Sequence, residues 1–535
     1  MRSAGETRIE KLDAVMEGAA DRPLAAIDVG TNSVHMVVAR AVRGARPEVL
    51  AREKMPVRLG SGRDDMKHLQ PEAVGRAVAA LDECRRIAEA HGAEVVAVAT
   101  SAVREAENRD EVVARFLNES GVVVDVVSGA EEARLIHLGA LSAVAVADRR
   151  HLVIDIGGGS TEFIVGEGTD PLLARSLKLG HIRLSERFFP GGRIEDTQIE
   201  GCRRFVTAFV AALTSEVRRL GFDVAVGCSG TIETLATMAA HRRGEPLATI
   251  ASAVLTRDEL DEIVADITEV ADPSDRRFDG LEANRRDVIV AGALLAQGLC
   301  RSFDVDALIV SPGALREGVL LDRFRRRDTS GHGLHHLEDL RRSSVLALAA
   351  RCEEDIDHAE HATDLALELF DETVALHGLG VLERDVLEAA GLLHNVGRFV
   401  AHASHHRHSY YLIRHTEHIA GFTDHELELM AQVARYHRKS APRRRHPEFA
   451  RLSDEDKRRV KVLAGMLRVG IALDRTYQRV VAGLRTRDDG RVLELEAEVP
   501  EGRDAELELF TAREHVGLLG DALDRTVTVD IVGSD

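Results

Sequence analysis

A chain of 535 residues is too long for one hydrophobic core, so several domains are expected. Its formal net charge of -19 repels nucleic acid and anionic membranes, and 4% aromatics without Trp leave little to stack bases on, so neither partner is expected. A polyanionic substrate would have to meet a local basic site within this acidic whole. The five cysteines, Cys84, Cys202, Cys228, Cys300 and Cys352, form no CxxC pair and are odd in number, which fits a reducing compartment. Residues 1–22 are charged and helical in character and lack the apolar stretch of a signal peptide, and no apolar run is long enough to span a bilayer. A cytoplasmic protein is expected.

The first strong signal along the chain is an internal repeat. The segment from Ala25 to Ser33 is echoed by Leu152 to Ser160, and each runs on into a second apolar stretch, Met36 to Ala39 and Phe163 to Val165. Both read as strand, tight turn, strand. A second echo lies at a similar offset: Val95 to Ala99 ends in Thr100-Ser101-Ala102, and Val224 to Gly227 ends in Cys228-Ser229-Gly230-Thr231. Two echoes predict two copies of one α/β domain facing each other across a cleft, over 23–146 and 147–327. A charged, Gly-containing linker, Arg325 to Gly333, follows. Over 328–479 the pattern is helical, as in Ala362, Leu365, Ala366, Leu369 and in Val386, Ala389, Ala390, Leu393. The tail, 480–535, alternates at Val492 to Glu496, Leu507 to Leu509 and Val527 to Val529. It reads as a small β-rich appendage.

The Gly-rich turns are phosphate cradles by type. Successive backbone N–H groups converge on an anion, and glycine lets it approach. Gly30, Thr31, Asn32 and Ser33 form one cradle. Gly157, Gly158, Gly159, Ser160 and Thr161 form the other. Asp28 and Asp155 end apolar strands, where a carboxylate is costly to bury unless it is paired or holds a metal. Glu162 follows the second turn. Glu131 and Glu132 open a helix, where acidic residues are ordinary. Arg104 follows the first Thr-Ser strand end, where a guanidinium clamps a phosphate or makes a surface salt bridge.

Five ordered motifs together resemble the exopolyphosphatase/guanosine pentaphosphate phosphohydrolase family. They are Ile27 to Ser33, Ser128 to Arg134, Ile154 to Glu162, Ser229 to Thr231 and Ser311 to Gly318. His405 to Ser409 and Val433 to Lys439 resemble the helical domain of its long members. The resemblance implies duplicated actin-like (ribonuclease H-like) ATPase domains, an all-α HD-like domain after them, and a homodimer. It implies that Glu132 is the general base, that Asp155 and Glu162 serve Mg²⁺ and catalysis, and that Asn32, Ser33, Arg104, Gly158, Gly159, Ser160, Ser229, Gly230 and Thr231 contact phosphate. The implied reaction is water attack on a terminal phosphate with release of orthophosphate. The substrate is inorganic polyphosphate, toward which the long helical domain leans, or guanosine pentaphosphate in the same cleft. An actin-like kinase or ATPase, or a non-enzymatic sensor of guanosine polyphosphates, fits the folds but leaves Glu132 without a role.

The helical region is the basic part of the chain. His405, His406, Arg407, His408, Arg435, His437, Arg438 and Lys439 are candidates to guide a polyphosphate chain, beside His394, His402, His415, His418, His425 and His446. Set against the HD phosphohydrolase pattern, His361 stands for the first histidine, His394-Asn395 for His-Asp and Asp474 for the closing Asp. Asn395 is a weaker metal ligand than Asp, so a second working metal centre is not expected.

Overall fold

The computed structural model describes residues 22–42, 47–60, 67–146, 148–244, 250–251, 253–328, 335–352, 354–416, 419 and 421–533. The predicted helical extension 1–21, His418 and linker residues 329–333 lie outside them. The chain divides into two compact units, Met1–Leu334 and His335–Asp535. Among the described residues no helix is long and apolar enough to cross a membrane.

The first unit contains the predicted duplication. One sheet has five strands in the order β3-β2-β1-β4-β5: β1 (Leu24–Val29), β2 (Ser33–Arg40), β3 (Glu48–Pro56), β4 (Glu94–Ala99) and β5 (Val124–Val126). The other has six in the order β10-β11-β9-β6-β7-β8: β6 (His151–Ile156), β7 (Thr161–Glu167), β8 (Asp170–Leu177), β9 (Val224–Cys228), β10 (Val254–Thr256) and β11 (Ala307–Ser311). In each copy an antiparallel hairpin, β1–β2 or β6–β7, lies beside a parallel strand, β4 or β9. The two turns close alike: Gly30 N–H donates to Ser33 O at 3.1 Å, and Gly157 N–H to Ser160 O at 3.0 Å. The strands β1 and β6 are apolar apart from Asp28 in one and His151 and Asp155 in the other, because both faces are covered.

Two helices, Gly129–Ala143 and Leu315–Asp328, pack between the sheets. One core holds Ala26 and Val98 from the first sheet, Val153 and Val226 from the second, and Ile136, Ala140, Val319 and Leu320 from the helices. Their crossing is so close that a Cβ on Gly139 would lie 1.9 Å from Ala314 O, and one on Gly318 only 1.8 Å from Leu135 O. A buried charge triad ties the same pair. Glu131 accepts from Arg134 at 2.7 and 2.8 Å, and Arg134 also donates to Asp322 at 2.8 Å. This is the duplicated actin-like arrangement. The predicted linker begins later than expected, since Arg325 to Asp328 continue the second helix.

The second unit is helical, and its predicted apolar stripes are buried. Ala362, Leu365, Ala366 and Leu369 lie on helix Ile356–Glu372, and Val386, Ala389 and Ala390 on helix Val381–Leu392. The tail forms a three-stranded sheet in the order β12-β13-β14, from β12 (Gly483–Asp488), β13 (Val492–Val499) and β14 (Thr526–Gly533). It shares one continuous core with the helices. The alternation at Leu507 to Leu509 is not a strand: these residues lie on helix Glu506–His515, which buries Leu509 and leaves Leu507 exposed. Three residues fit period 2 and period 3.6 almost equally well, and a run that short does not discriminate.

The helix crossing is testable with one methyl group. Gly318→Ala should cost about 3 kcal/mol, because backbone must separate to admit the new Cβ. On helix Pro71–Ala90, a Cβ at Gly75 would meet nothing within 4 Å. Gly75→Ala should therefore stabilise by roughly 0.5–1 kcal/mol. Denaturant midpoints of the two variants should move in opposite directions.

Candidate functional site

A cleft of about 350 Å³ opens where the two hairpin turns meet. A Cβ on Gly158 of the second turn would sit 3.2 Å from Thr31 Cβ of the first. Glycine at 158 is therefore what lets the turns approach. Gly180 is equally constrained, since a Cβ there would lie 2.2 Å from Gly158 O. Gly30, Thr31, Asn32, Ser33, Gly157, Gly158, Ser160, Ser229 and Gly230, all predicted, line the cleft together with Asp28, Glu132, Asp155 and Glu162. Ser229 sits at the junction of β9 and the following helix with φ of 68°. It is held in the left-handed region and hydrogen-bonds Asp155.

Four predicted residues are placed beside the cleft. Thr161 donates its hydroxyl to Leu179 O, and Thr231 pairs with His181 Nδ1 at 3.2 Å. Gly159 O accepts from Arg183 at 3.1 Å. Arg104 donates from one nitrogen to both Val127 O at 3.0 Å and Glu132 Oε2 at 2.6 Å. These four brace the lining groups.

Sheet register explains the charges. Asp28, His35 and Lys54 are cross-strand neighbours on β1, β2 and β3, and Asp155, Glu162 and Ser176 stand likewise on β6, β7 and β8. Ser176 donates to Glu162 Oε1 at 2.7 Å. Ser33 Oγ lies 2.7 Å from His35 Nε2, and Arg316 donates to His35 Nδ1 at 2.9 Å. Burial pushes Asp28 and Asp155 up to about 7 and Glu162 well above the usual carboxylate range. It raises Glu132 too, against the pull of Arg104. Burial and Arg316 hold His35 down at about 3, and burial and Arg285 do the same to His181. The carboxylates repel one another, and Asp28 Oδ1 is buried with no hydrogen-bond partner. Such a set is stabilised by cationic charge entering the cleft.

Sequence reasoning missed a cationic wall and two histidines, His35 and His181. Arg52, Lys54, Arg285 and Arg316 line the cleft, as do His181 and Glu233. Arg52 and Lys54 stand two apart on β3, so they share a face, a signal visible as period-2 alternation. Arg316 lies within a motif already noticed, one residue into its helix. Arg285 carried no local signal: it enters from a short 3₁₀ turn, Ala283–Arg285.

In the helical unit the predicted guiding residues part company. His405, His437, Arg438 and Lys439 line a separate cavity, whereas Arg435 pairs with Glu448 at 2.8 Å. His406, Arg407 and His408 do not line it. The HD-like set is also rearranged. His358, not His361, donates to Asp474, from Nδ1 to Oδ2 at 2.7 Å, and His361 Nε2 stands 4.0 Å from the other oxygen. The two histidines are three apart on one helix, and which one faces Asp474 depends on how the helix is rotated in its packing. Among the described residues no three His, Cys, Asp or Glu side chains converge as a metal-holding group.

Residues 37–327 match the Ppx/GppA phosphatase family, and residues 340–510 match Ppx/GppA phosphatase, domain III. Among solved structures, the chain is similar to an exopolyphosphatase from Cytophaga hutchinsonii, at 29% identity and a TM-score of 0.53 over 57% of this chain and 98% of that one. An exopolyphosphatase-like protein matches at 28% identity and a TM-score of 0.53, covering 57% and 99%. A Ppx/GppA family member from Aquifex aeolicus matches at 28% identity and a TM-score of 0.48, covering 58% and 99%. The first family match takes in more than half of the sequence and the second most of the helical unit; the chain belongs to the Ppx/GppA phosphatase family.

Proposed function

We propose that this phosphatase is an exopolyphosphatase, which hydrolyses the terminal phosphoanhydride bond of inorganic polyphosphate and releases orthophosphate. The observation that carries this reading is the lining of the cleft. Two facing phosphate cradles and four cationic side chains serve a phosphate chain, while no Phe or Tyr lines the cleft among the described residues. The rings that line it are the imidazoles of His35 and His181, of which His35 is held by Ser33 and Arg316 and His181 by Thr231, so a guanine base would find no Phe or Tyr platform there. Guanosine pentaphosphate, whose terminal phosphate presents the same bond, is the second reading, because its base could remain outside the cleft.

The residues present fit Mg²⁺. Asp155 and Glu162 are neighbours across β6 and β7, with Asp28 facing the same cleft, and burial first, then mutual repulsion, raises the proton affinity of all three. One or two carboxylates suffice for Mg²⁺ when substrate phosphates complete its shell. When bound, the ion supplies charge neutralisation to phosphate oxygens.

The chain's own groups do the rest. Backbone N–H groups of the turns at Gly30 to Ser33 and Gly157 to Ser160 hold the terminal phosphates. Arg316, Arg285, Arg52 and Lys54 offset their charge. Glu132 Oε2 is taken by Arg104, which keeps the carboxyl oriented and favours its ionised form. The other carboxylate oxygen accepts a proton from water as the water oxygen bonds to phosphorus. The bridging P–O bond breaks, and the shortened chain leaves as a stable anion that needs little protonation.

The decisive assay is phosphate release from long-chain polyphosphate, guanosine pentaphosphate and ATP side by side, with and without Mg²⁺. Polyphosphate should turn over fastest and only with the metal. ATP turnover, or sugar phosphorylation, without polyphosphate activity would overturn the reading. Glu132→Gln should lower kcat by about a hundredfold or more while leaving polyphosphate binding in place. Glu131→Gln should leave the kcat of folded protein within a few-fold, yet destabilise it by about 3–5 kcal/mol, because Arg134 loses a buried partner.

A pH effect follows from Asp28. Well below pH 4, its carboxyl is protonated whether folded or unfolded, so it contributes nothing. As pH rises toward 7 the unfolded chain ionises it while the folded chain keeps the proton, and stability falls. Above pH 7 the full penalty applies, at most about 4 kcal/mol. Without divalent metal, Asp28→Asn should therefore melt higher than the parent at pH 8, with the difference shrinking as pH falls and vanishing below pH 4. Added Mg²⁺ should raise the parent's melting temperature more than the variant's.

A further inference from the structure

The helical unit carries a second cavity, of about 490 Å³, whose chemistry differs from that of the cleft. Arg398, Arg438, Lys439, Arg468 and Arg475 line it, with Glu514 as the sole lining carboxylate among the described residues. None of the five cations is ion-paired to a carboxylate among the described residues. Arg468 spends its N–H groups on the carbonyls of Tyr436, Lys439 and Ser440, at 2.7, 3.0 and 3.2 Å. Arg438 donates to the ring of His405 at 3.3 Å. Arg398 donates to Tyr477 OH at 3.1 Å, and its buried Nε has no partner. Arg468 is buried and Arg398 half-buried, while Arg438, Lys439 and Arg475 reach solvent at the mouth; like charges lining one cavity repel one another, and an anion joining them relieves that repulsion.

The histidines add a second requirement. His394 and His437 approach the backbone oxygens of Gly391 and Ala434 through Nδ1, at 2.7 and 2.6 Å. A carbonyl only accepts, so Nδ1 carries the proton and the neutral ring presents Nε2 as a lone pair. His394 is 1% exposed and its Nε2 has no partner. The cavity therefore asks for acceptors opposite the five cations and for a donor opposite His394. The same five cations oppose a divalent metal ion at that lone pair.

A bare phosphate chain offers acceptors only. A nucleotide offers both, through phosphate oxygens and through ribose hydroxyls or base N–H groups. The rim supplies what its ring would need. Tyr477 stacks on His358 with centroids 3.7 Å apart, and Phe510, 63% exposed, and Leu507 line the same cavity. Lys439 and Tyr477 are both held at positive φ, 60° and 61°, which costs energy in residues with a Cβ and concentrates at ligand sites. The volume lies within the range of small-molecule sites.

We propose that this cavity is a second ligand site, which binds a nucleoside di- or polyphosphate with its phosphates on the arginine cluster and its base against Tyr477 and Phe510. It is separate from the cleft and does not depend on the substrate proposed there.

The test uses the full-length protein, without divalent metal, and a fluorescent guanosine diphosphate as probe. Arg438→Ala should weaken probe binding about tenfold or more, the scale of one charged hydrogen bond. Phe510→Ala, an exposed position that does not endanger folding, should weaken it about fivefold, the scale of lost base stacking. Phe510→Ala should hydrolyse tripolyphosphate with the parent's kcat. The proposal is overturned if Arg438→Ala binds the probe as the parent does. It is equally overturned if tripolyphosphate displaces the probe at equal concentration and Phe510→Ala has no effect, since the cavity then takes bare phosphate chains. Zinc or manganese retained without nucleotide, and lost in His394→Ala, would make it a metal site instead.

Discussion

The close crossing of helices Gly129–Ala143 and Leu315–Asp328 is the constraint on which the catalytic unit depends. Gly139, Gly313 and Gly318 remove the side chains that would hold the backbones apart. The pair fills the space between the two sheets, so each sheet is positioned by the same two helices. Glu132 and Arg316 lie near the starts of these helices and both face the cleft. A carboxylate, the proposed base, and a cation are thus aimed at one place by rigid elements rather than by loops, which is the condition for catalysis by positioning. The Glu131–Arg134–Asp322 triad locks the crossing from within, which gives the adjacent glutamates separate duties.

Duplication then explains the electrostatics. Equivalent hairpins place Asp28 and Asp155 at matching positions, but the residue across the strand differs: His35 in one copy and Glu162 in the other. One half of the cleft is therefore neutral to cationic, through His35, Lys54 and Arg316, and the other is acidic. The proposed polyphosphate substrate and the proposed divalent cation have opposite requirements, and an asymmetric pair of halves would suit both. The raised proton affinities of the three strand carboxyls and the unpaired oxygen of Asp28 express the same arrangement in energetic form.

The two cavities divide along chemical lines. The cleft in the first unit combines carboxylates, cations and backbone turns without tyrosine or phenylalanine among the described residues. The cavity in the second combines cations with tyrosine and phenylalanine and almost no carboxylate. The overall charge of -19 hides both, because net charge describes the surface as a whole whereas binding depends on local fields in partly desolvated recesses.

Much of this was legible in the sequence. The repeated strand–turn–strand pattern, the buried strands, the helical stripes at Ala362 to Leu369 and the Gly-rich turns follow from local periodicity and turn chemistry, which act over a few residues and leave a direct trace. The division of labour between Glu131 and Glu132 was readable only as a difference in direction on a helix. Tertiary structure decided the rest. It chose His358 over His361 as the partner of Asp474, turned Leu507 to Leu509 into helix, brought Arg285 to the cleft and drew His394, Arg438 and Tyr477 into one cavity. Each of these depends on how an element is rotated and what packs against it, and contacts between residues far apart in the chain leave no periodic signal along it.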